Sequence, residues 1–438
     1  MKQISPASLE DLCVFLDSSP TAWHAVQSIE EKLIAHEFKE LKEGERWHLQ
    51  PGKRYFITRN GSSLCAFITP LSAPQRVLLL ASHTDSPSFK LKPKPEIHRQ
   101  KMVLFSVEVY GAPLLSSWLN RDLGLAGRIF YFDQNDRFQQ SLVRLEQSPL
   151  TIPQLAIHLD REVNDKGLIL NRQEHLNILA ALEIQLPSTH SYLESLIRQS
   201  VDFKQLINSE LYLYPLEKAQ LIGYQKQMIA SYRIDNLVSV HASLAALLEQ
   251  VDPLEDEIKM LMCWDNEEIG SQTAQGAGSP FLNQILERIL LALNQDREDY
   301  FRCISQSICL SMDAAHALHP NYMEKHDSQH QPIMGQGVVL KTNAQFRYAS
   351  DAFSSAPIQA LAKKQDLPLQ IFVSRNDIPC GTTIGPIHSS LTGMPTVDIG
   401  CPQLSMHSCR ELMASQDYIT LCQLLKVLLK DGWKSLIT

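Results

Sequence analysis

The sequence predicts an α/β fold, in which a central, mostly parallel sheet forms one domain and a β-rich segment is inserted into it. Short apolar runs such as 77–81 alternate with amphipathic segments such as 237–248, which is the pattern of a sheet covered by helices. The alternation is interrupted between about residues 92 and 226, where strand-like pieces lie between polar loops. It then resumes and continues to a terminal amphipathic helix.

Two helices and three strands are predicted before the interruption. Apolar residues at three- and four-residue spacing predict the helices, over 6–16 and 20–36. The strand patterns cover 55–58, 63–69 and 77–81. Asn60-Gly61 predicts a hairpin between the first two strands. The third run is continuous rather than alternating, which predicts a strand buried on both faces.

The remaining elements divide the chain into two parts. Strand-like pieces within the interruption cover 103–109, 127–132 and 212–216. The later elements are, in order, a helix over 237–248, a strand over 258–264, a helix over 281–293, a strand over 304–312, a helix over 352–364, strands over 369–374 and 395–399, and a helix over 418–429. We therefore expect one discontinuous domain, 1–92 and 227–438, and one inserted domain, 93–226.

Composition excludes several classes of partner. The chain has 438 residues and a net charge of -8, which argues against nucleic acid because such a partner requires a clustered basic face. Its apolar runs are far shorter than the roughly 20 residues of a membrane helix, and the N-terminus lacks the apolar core of a secretory signal. The nine cysteines are scattered without a CxxC pair, which predicts reduced thiols and a cytoplasmic protein.

Polar clusters follow the predicted strands, at the position where open α/β sheets form their sites. They cover 82–87, 265–268, 312–316 and 406–408, and Asp235-Asn236 opens a predicted helix. Each has an ordinary interpretation by itself: an isolated histidine, a helix N-cap or a solvated acidic pair. Together they bring acidic groups to one sheet edge, where their charges repel unless cations balance them.

These residue types predict a site for two divalent metal ions. Imidazole and carboxylate ligands without a thiolate suit zinc, cobalt or manganese. If Asp235, Glu268 and Asp313 bind two ions together with neutral His83 and His407, one hydroxide balances the remaining positive charge. Sharing of ligands is then required, and Asp235 is the natural bridge between the ions, beside a bridging hydroxide.

Two further carboxylates complete this hypothesis. Glu267, next to a predicted ligand, lies where a general base for the attacking water is needed. Asp85 lies two residues after His83, so in an extended segment it points to the same side and orients the imidazole.

Six motifs resemble those of the aspartyl aminopeptidase family, the metallopeptidase family that includes vacuolar aminopeptidase I. They are HTDSP at 83–87, DN at 235–236, DNEEIGS at 265–271, MDAAHALHPNY at 312–322, RNDIPCGTTIGP at 375–386 and MHSCREL at 406–412. The resemblance implies a phosphorylase/hydrolase-like zinc peptidase domain that removes N-terminal residues from peptides, with a preference for Asp and Glu.

The resemblance also implies roles for individual residues. One zinc is held by His83 and Asp313 and the other by Glu268 and His407, with Asp235 between them. Glu267 is the general base and Asp85 the residue that orients His83. The implied substrate-binding residues are His158, His316, Lys341 and Tyr348, with His158 reaching the active site of a neighbouring subunit.

Assembly and alternatives complete the predictions. The resemblance implies a homo-oligomer, a dodecamer built from dimers through the inserted domain. The turn at 381–385 is expected either to allow close approach of substrate or to be purely structural. The alternative functions are an aminopeptidase of broader, neutral specificity, an N-acyl amino acid deacylase of the same fold, and a non-catalytic assembly or cargo-binding protein.

Overall fold

A computed structural model describes residues 6–182, 191–249 and 252–437 of the chain. Its strands are β1 (Lys39–Glu40), β2 (Arg54–Arg59), β3 (Ser63–Ile68), β4 (Arg76–His83), β5 (Ser88–Arg99), β6 (Met102–Tyr110), β7 (Leu123–Phe132), β8 (Phe138–Leu150), β9 (Ile178–Leu182), β10 (Gln205–Pro215), β11 (Gln220–Ile222), β12 (Met228–Ser231), β13 (Glu257–Trp264), β14 (Ile308–Met312), β15 (Ala315–His316), β16 (Val338–Lys341), β17 (Leu369–Phe372), β18 (Thr396–Gly400), β19 (Pro402–Leu404) and β20 (Glu411–Ala414).

The helices surround these strands. They are α1 (Pro6–Ser18), α2 (Ala22–Ala35), α3 (Val163–Lys166), α4 (Tyr192–Ile197), α5 (Ile234–Glu249), α6 (Phe281–Ala292), α7 (Arg297–Ser305), α8 (Ala352–Lys364), α9 (Ile384–Thr392), α10 (Ser415–Asp431) and α11 (Lys434–Ile437). Within the described ranges, no helix is both long enough and apolar enough to span a membrane.

A nine-stranded sheet forms the centre of the molecule, in the order β1-β2-β3-β13-β4-β14-β18-β16-β17. Its four middle strands, β13, β4, β14 and β18, are mutually parallel, while antiparallel pairs flank them. The predicted α/β fold with a mostly parallel central sheet is confirmed. All eight residues of β4 are buried, as the continuous apolar run predicted.

Helices cover both faces of this sheet. One face packs against α1, α2, α5, α8 and α10. The other face packs against α6, α7 and α9. Each fully buried leucine or isoleucine in these layers contributes roughly 1.5–3 kcal/mol, so the strands that carry the polar clusters lie on a rigid base.

A second, six-stranded antiparallel sheet has the order β8-β7-β10-β5-β6-β9 and a hydrophobic core of its own. Its strands lie between residues 88 and 215, and the predicted boundary at residue 93 falls inside β5. A third sheet, β11-β12-β20-β19-β15, joins strands from both sides of the predicted boundary at residue 226.

Local sequence signals predict an isolated hairpin correctly but misplace the boundary between two elements that follow each other closely. The Asn60-Gly61 hairpin is confirmed, with φ of 55° and 63° at these residues. The predicted strand over 304–312 begins too early. Ile304 lies on the buried face of α7, which ends at Ser305, and β14 starts only at Ile308.

The segment 381–385 is another correction, because it does not form a tight turn throughout. Thr383 is the N-cap of α9, and its side chain accepts a hydrogen bond from the backbone N–H of Gly385. The second half of the segment is therefore the first turn of a helix.

Candidate metal centre

The parallel middle strands bring the polar clusters to one edge of the sheet. His83 ends β4, Asp313 follows β14, and Glu267 and Glu268 lie in a 3-10 turn after β13. These positions agree with the rule that sites form at the carboxyl ends of strands. His407 reaches the same place from the loop between β19 and β20.

Asp235 lies at the centre of the cluster and faces two histidines. Its Oδ1 is 3.5 Å from Nε2 of His83, and its Oδ2 is 3.4 Å from Nε2 of His407. Although it lies in the first turn of α5, its φ of -79° and ψ of 109° are not helical. Its carboxylate is therefore directed at the imidazoles rather than serving only as a helix cap.

The other acidic residues complete two adjacent groups. Asp313 Oδ1 is 3.7 Å from Nε2 of His83, and Glu268 Oε2 is 3.4 Å from Nε2 of His407. Among the described residues, three sets have ligand atoms within 4.8 Å of one another: His83 with Asp235 and Asp313, His83 with Glu267 and Glu268, and Asp235 with Glu268 and His407.

Backbone carbonyls fix the tautomers of both histidines. Nδ1 of His83 lies 3.1 Å from the carbonyl oxygen of Asp85, and Nδ1 of His407 lies 3.1 Å from that of Ala112. Because a carbonyl oxygen only accepts hydrogen bonds, each Nδ1 must carry the proton. Each Nε2 is then the atom that presents a lone pair to the cluster, as a metal-binding imidazole requires.

Two carboxylate oxygens in the cluster show whether its residues are suited to bind a metal ion. Oδ1 of Asp235 and Oε1 of Glu268 are buried and have no hydrogen-bond partner among the residues that the structure describes. A buried carboxylate oxygen without a partner is costly, and a cation removes that cost. The nitrogen and oxygen donors are those that zinc binds. The residues present therefore fit a zinc centre.

The electrostatics of the cluster lead to the same conclusion. Burial alone would lower the pKa of His83, but the carboxylates of Asp235, Asp313 and Asp85 beside its ring raise that pKa well above its ordinary value. Burial also raises the pKa of Glu267 to about 8. The cluster thus demands positive charge, and a bound cation supplies it in place of the imidazole proton.

Asp85 has a second function that the sequence did not reveal. Its Oδ1 accepts a hydrogen bond from the backbone N–H of Glu267, and its Oδ2 accepts one from the backbone N–H of Glu268. Both N···O distances are 3.1 Å. Oδ2 also accepts the hydroxyl of Tyr110 at 2.7 Å. The Oδ1 atom lies 3.4 Å from Nδ1 of His83. One carboxylate therefore joins the end of β4 to the turn that carries two acidic residues of the cluster.

Glu411 is a functional residue that sequence reasoning missed. Its Oε2 accepts the backbone N–H of Asp235 at 2.9 Å, and its Oε1 accepts that of His407 at 2.7 Å. Its side chain is buried, and this burial raises the pKa of Glu411 to about 8. The MHSCREL motif contains it, but only the fold shows that it holds two cluster residues at once.

We expect Glu411→Gln to weaken zinc binding by roughly 10- to 100-fold, as for other partners of metal ligands. Both oxygens of Glu411 accept from backbone N–H groups, so the amide of glutamine must direct its NH₂ at one of them. Competition with a fluorescent chelator measures the change, and Glu298→Gln, at an exposed position of α7, is the matched control. Equal zinc affinities of E411Q and the wild type would contradict this role.

A group of charged and aromatic side chains lies next to the cluster, on the Asp313 side. Lys341, the last residue of β16, is buried, and its Nζ lies 3.4 Å from Oδ2 of Asp313. The same Nζ is 5.1 Å from the ring centre of Tyr348. Phe372 joins Tyr348 to His316, with ring centres 6.3 Å and 5.9 Å away. The structure thus brings three of the four predicted substrate-binding residues together.

His316 is the solvent-accessible member of this group. Its side chain is exposed to solvent on one side. The neighbouring protein atoms desolvate the ring, and this desolvation and the positive charge of Lys341 both lower the pKa of His316. His158 is different, because it lies in an exposed turn of the segment between β8 and β9. Within the described ranges, no hydrogen bond or ion pair joins His158 to the cluster of its own chain.

Fold and donor set together define a metal-dependent hydrolase. A family model described as aminopeptidase I zinc metalloprotease (M18) matches residues 15–428. A probable M18 family aminopeptidase 2 of Clostridium novyi is 41% identical over 414 residues, 93% of this chain and 95% of that protein. The chain belongs to the M18 family and is a metalloaminopeptidase, as the motif resemblance predicted.

Solved structures agree with this assignment. The cryo-EM structure of the Ape4 and Nbr1 complex contains a chain that is 34% identical, with a TM-score of 0.94, over 98% of this chain and 87% of that one. The S. cerevisiae mApe1 dodecamer is 28% identical, with a TM-score of 0.85, over 98% of each chain. The family membership confirms the predicted enzyme class, and the description of the family as zinc metalloproteases implies zinc as the metal.

Proposed function

We propose that this enzyme removes single acidic residues from the N-termini of peptides at a centre of two zinc ions. His83, Asp235, Glu268, Asp313 and His407 would hold the ions. The observation that carries the proposal is the position of Asp235, whose two oxygens face different histidines. A carboxylate in that position is suited to bridge two ions.

Bound zinc supplies Lewis-acid polarisation of the scissile carbonyl and favours deprotonation of water at neutral pH. The protein supplies proton transfer. Glu267 takes the proton of the attacking water on a carboxylate oxygen and delivers it to the nitrogen of the leaving amine, so that one C–N bond breaks as one C–O bond forms. The carboxylate of Asp85 holds Glu267 in place by accepting a hydrogen bond from the backbone N–H of Glu267.

The acidic preference would have its basis in a substrate pocket formed by the side chains next to Asp313. Lys341 provides a buried positive charge, and His316 and Tyr348 provide further hydrogen-bond donors. A charge-assisted hydrogen bond to a substrate carboxylate is roughly twice as strong as a neutral one. An apolar first residue forms no such bond with Lys341.

A panel of aminoacyl p-nitroanilides tests the proposed specificity. We expect kcat/KM for Asp- and Glu-p-nitroanilide to exceed that for Leu-p-nitroanilide, and chelation to abolish all hydrolysis. Preference for leucine would establish broader, neutral specificity instead. Hydrolysis of N-acetyl-aspartate without hydrolysis of Asp-p-nitroanilide would establish a deacylase.

Replacement of Lys341 by methionine should remove the acidic preference. Methionine keeps most of the buried volume but not the charge, so we expect kcat/KM for Asp-p-nitroanilide to fall roughly 10- to 100-fold, the equivalent of a charged hydrogen bond of about 1.5–3 kcal/mol. The value for Leu-p-nitroanilide should change little. Lys325→Met, an exposed lysine, is the control. An equal loss for both substrates would contradict the assigned role.

We further propose that residues 93–226 form an inserted oligomerisation domain and that the assembly is a dodecamer built from dimers. Exposed apolar side chains near His158 support an interface there, since Leu155, Ile157 and Leu159 are 58%, 45% and 74% exposed. The S. cerevisiae relative is a dodecamer. His158 would then reach a neighbouring active site. All nine cysteines are free, which supports the proposed cytoplasmic location.

A further inference from the structure

Asp398, in the middle of β18, is fully buried and contacts none of the proposed metal ligands through its side chain. Its Oδ1 accepts the hydroxyls of Ser311 and Thr383, each at 2.6 Å. Its Oδ2 accepts the backbone N–H of Ala349, also at 2.6 Å. One carboxylate therefore connects β14, the start of α9 and the loop after β16.

This loop carries Tyr348 and has no regular secondary structure between residues 342 and 351. Its position therefore depends on tertiary contacts, and two of them converge on Asp398. Besides the bond from Ala349, the backbone N–H of Asp398 donates to Oγ of Ser350 at 2.8 Å. Both contacts lie within two residues of the Tyr348 ring.

Asp398 also lies beside the other main residue of the pocket. In the pairing of β16 with β18, Lys341 is directly opposite Asp398. The carboxylate thus binds the loop with Tyr348 and the segment before α9, while the backbone of Asp398 pairs with β16 at Lys341. A second bond joins the loop to the segment before α9, because the hydroxyl of Thr382 donates to the carbonyl of Arg347 at 3.1 Å.

Gly385 shows how closely the carboxylate is enclosed. A Cβ atom at this position would lie 2.3 Å from Oδ2 and 2.7 Å from Oδ1 of Asp398. Any side chain at residue 385 would therefore displace the carboxylate. The glycine in this part of the GTTIGP motif is explained by its approach to Asp398 rather than to a substrate.

We propose that Asp398 is a positioning residue that determines first-residue selectivity by fixing Tyr348 against Lys341. The inference rests on the proposed pocket, but not on the metal ions. Small displacements of substrate-positioning groups have large kinetic effects, since a shift of about 1 Å can change a rate by 10²-fold. Loss of the connection should therefore raise KM for the preferred substrate and weaken discrimination among first residues.

Three variants test the proposal. Asp398→Ala removes every side-chain contact, and Gly385→Ala displaces the carboxylate while Asp398 itself is retained. Asp398→Asn removes only the charge, because its amide oxygen can accept from Ala349 while its NH₂ group donates to the two hydroxyls. The measurements are kcat and KM for Asp- and Ala-p-nitroanilide, zinc content and the thermal midpoint.

We expect D398A and G385A to lower the Asp-to-Ala ratio of kcat/KM by roughly tenfold or more, mainly through KM, with zinc content unchanged. D398N should keep most of the ratio. Should D398A fail to fold, G385A decides. An unchanged ratio in both variants, or a D398N defect equal to that of D398A, would overturn the proposal.

The outcome is separable from that of the proposed function. A wild-type enzyme that prefers leucine would refute the acidic pocket, and the same variants would then be measured by KM for the leucine substrate. A purely structural role for Asp398 would lower the thermal midpoint and the activity towards all substrates equally, and would leave their ratio unmoved.

Discussion

Glu267→Gln is expected to lower kcat by about 10²–10⁴-fold, the usual contribution of a general base. The amide keeps the shape of the side chain but cannot accept the proton from the attacking water. Glu267 is not among the five proposed ligands, so zinc content should stay at the wild-type level. Steady-state kinetics together with metal analysis of the same sample measure both quantities.

The control is Glu298→Gln, an exposed glutamate in the first turn of α7. It makes the same chemical change far from the cluster and should leave kcat unaffected. Full activity of E267Q would refute the assigned role. Loss of zinc together with activity would identify Glu267 as a ligand instead of a base.

Asp235→Ala should have the largest effect on metal binding, because the account places this carboxylate between two ions. We expect the variant to lose both zinc ions and all measurable hydrolysis. The repulsion among the remaining carboxylates is no longer balanced without the cations, so we also expect a changed thermal midpoint. Metal analysis after dialysis gives the stoichiometry directly.

His407→Ala is the informative comparison for this variant. His407 contacts Asp235 and Glu268 but not Asp313, so its removal should affect one ion more than the other. A variant D235A that retains one zinc per chain at wild-type affinity would show that Asp235 is not a bridge.

The sequence was sufficient to predict the central sheet and the residues at its edge. Apolar runs such as β4 and β13 are buried on both faces and therefore have an unambiguous strand signal. Parallel strands end at the same edge, so the polar residues that follow them had to meet. His83 and Asp313 required no knowledge beyond this rule.

Other features depend on contacts that no local pattern encodes. Glu411 and Asp398 are single acidic residues in the sequence. Their positioning contacts become visible only when the fold shows which backbone N–H groups donate hydrogen bonds to them. The start of β14 was misplaced because Ile304, an apolar residue shortly before the strand, belongs to the buried face of α7. His158 lies in an exposed turn, where its proposed partner is another chain.

The most direct measurement is anomalous diffraction at the zinc edge from crystals of the zinc-loaded enzyme. We expect two peaks on either side of Asp235, one next to His83 and Asp313 and the other next to Glu268 and His407. A single peak, or zinc bound away from these five side chains, would contradict it.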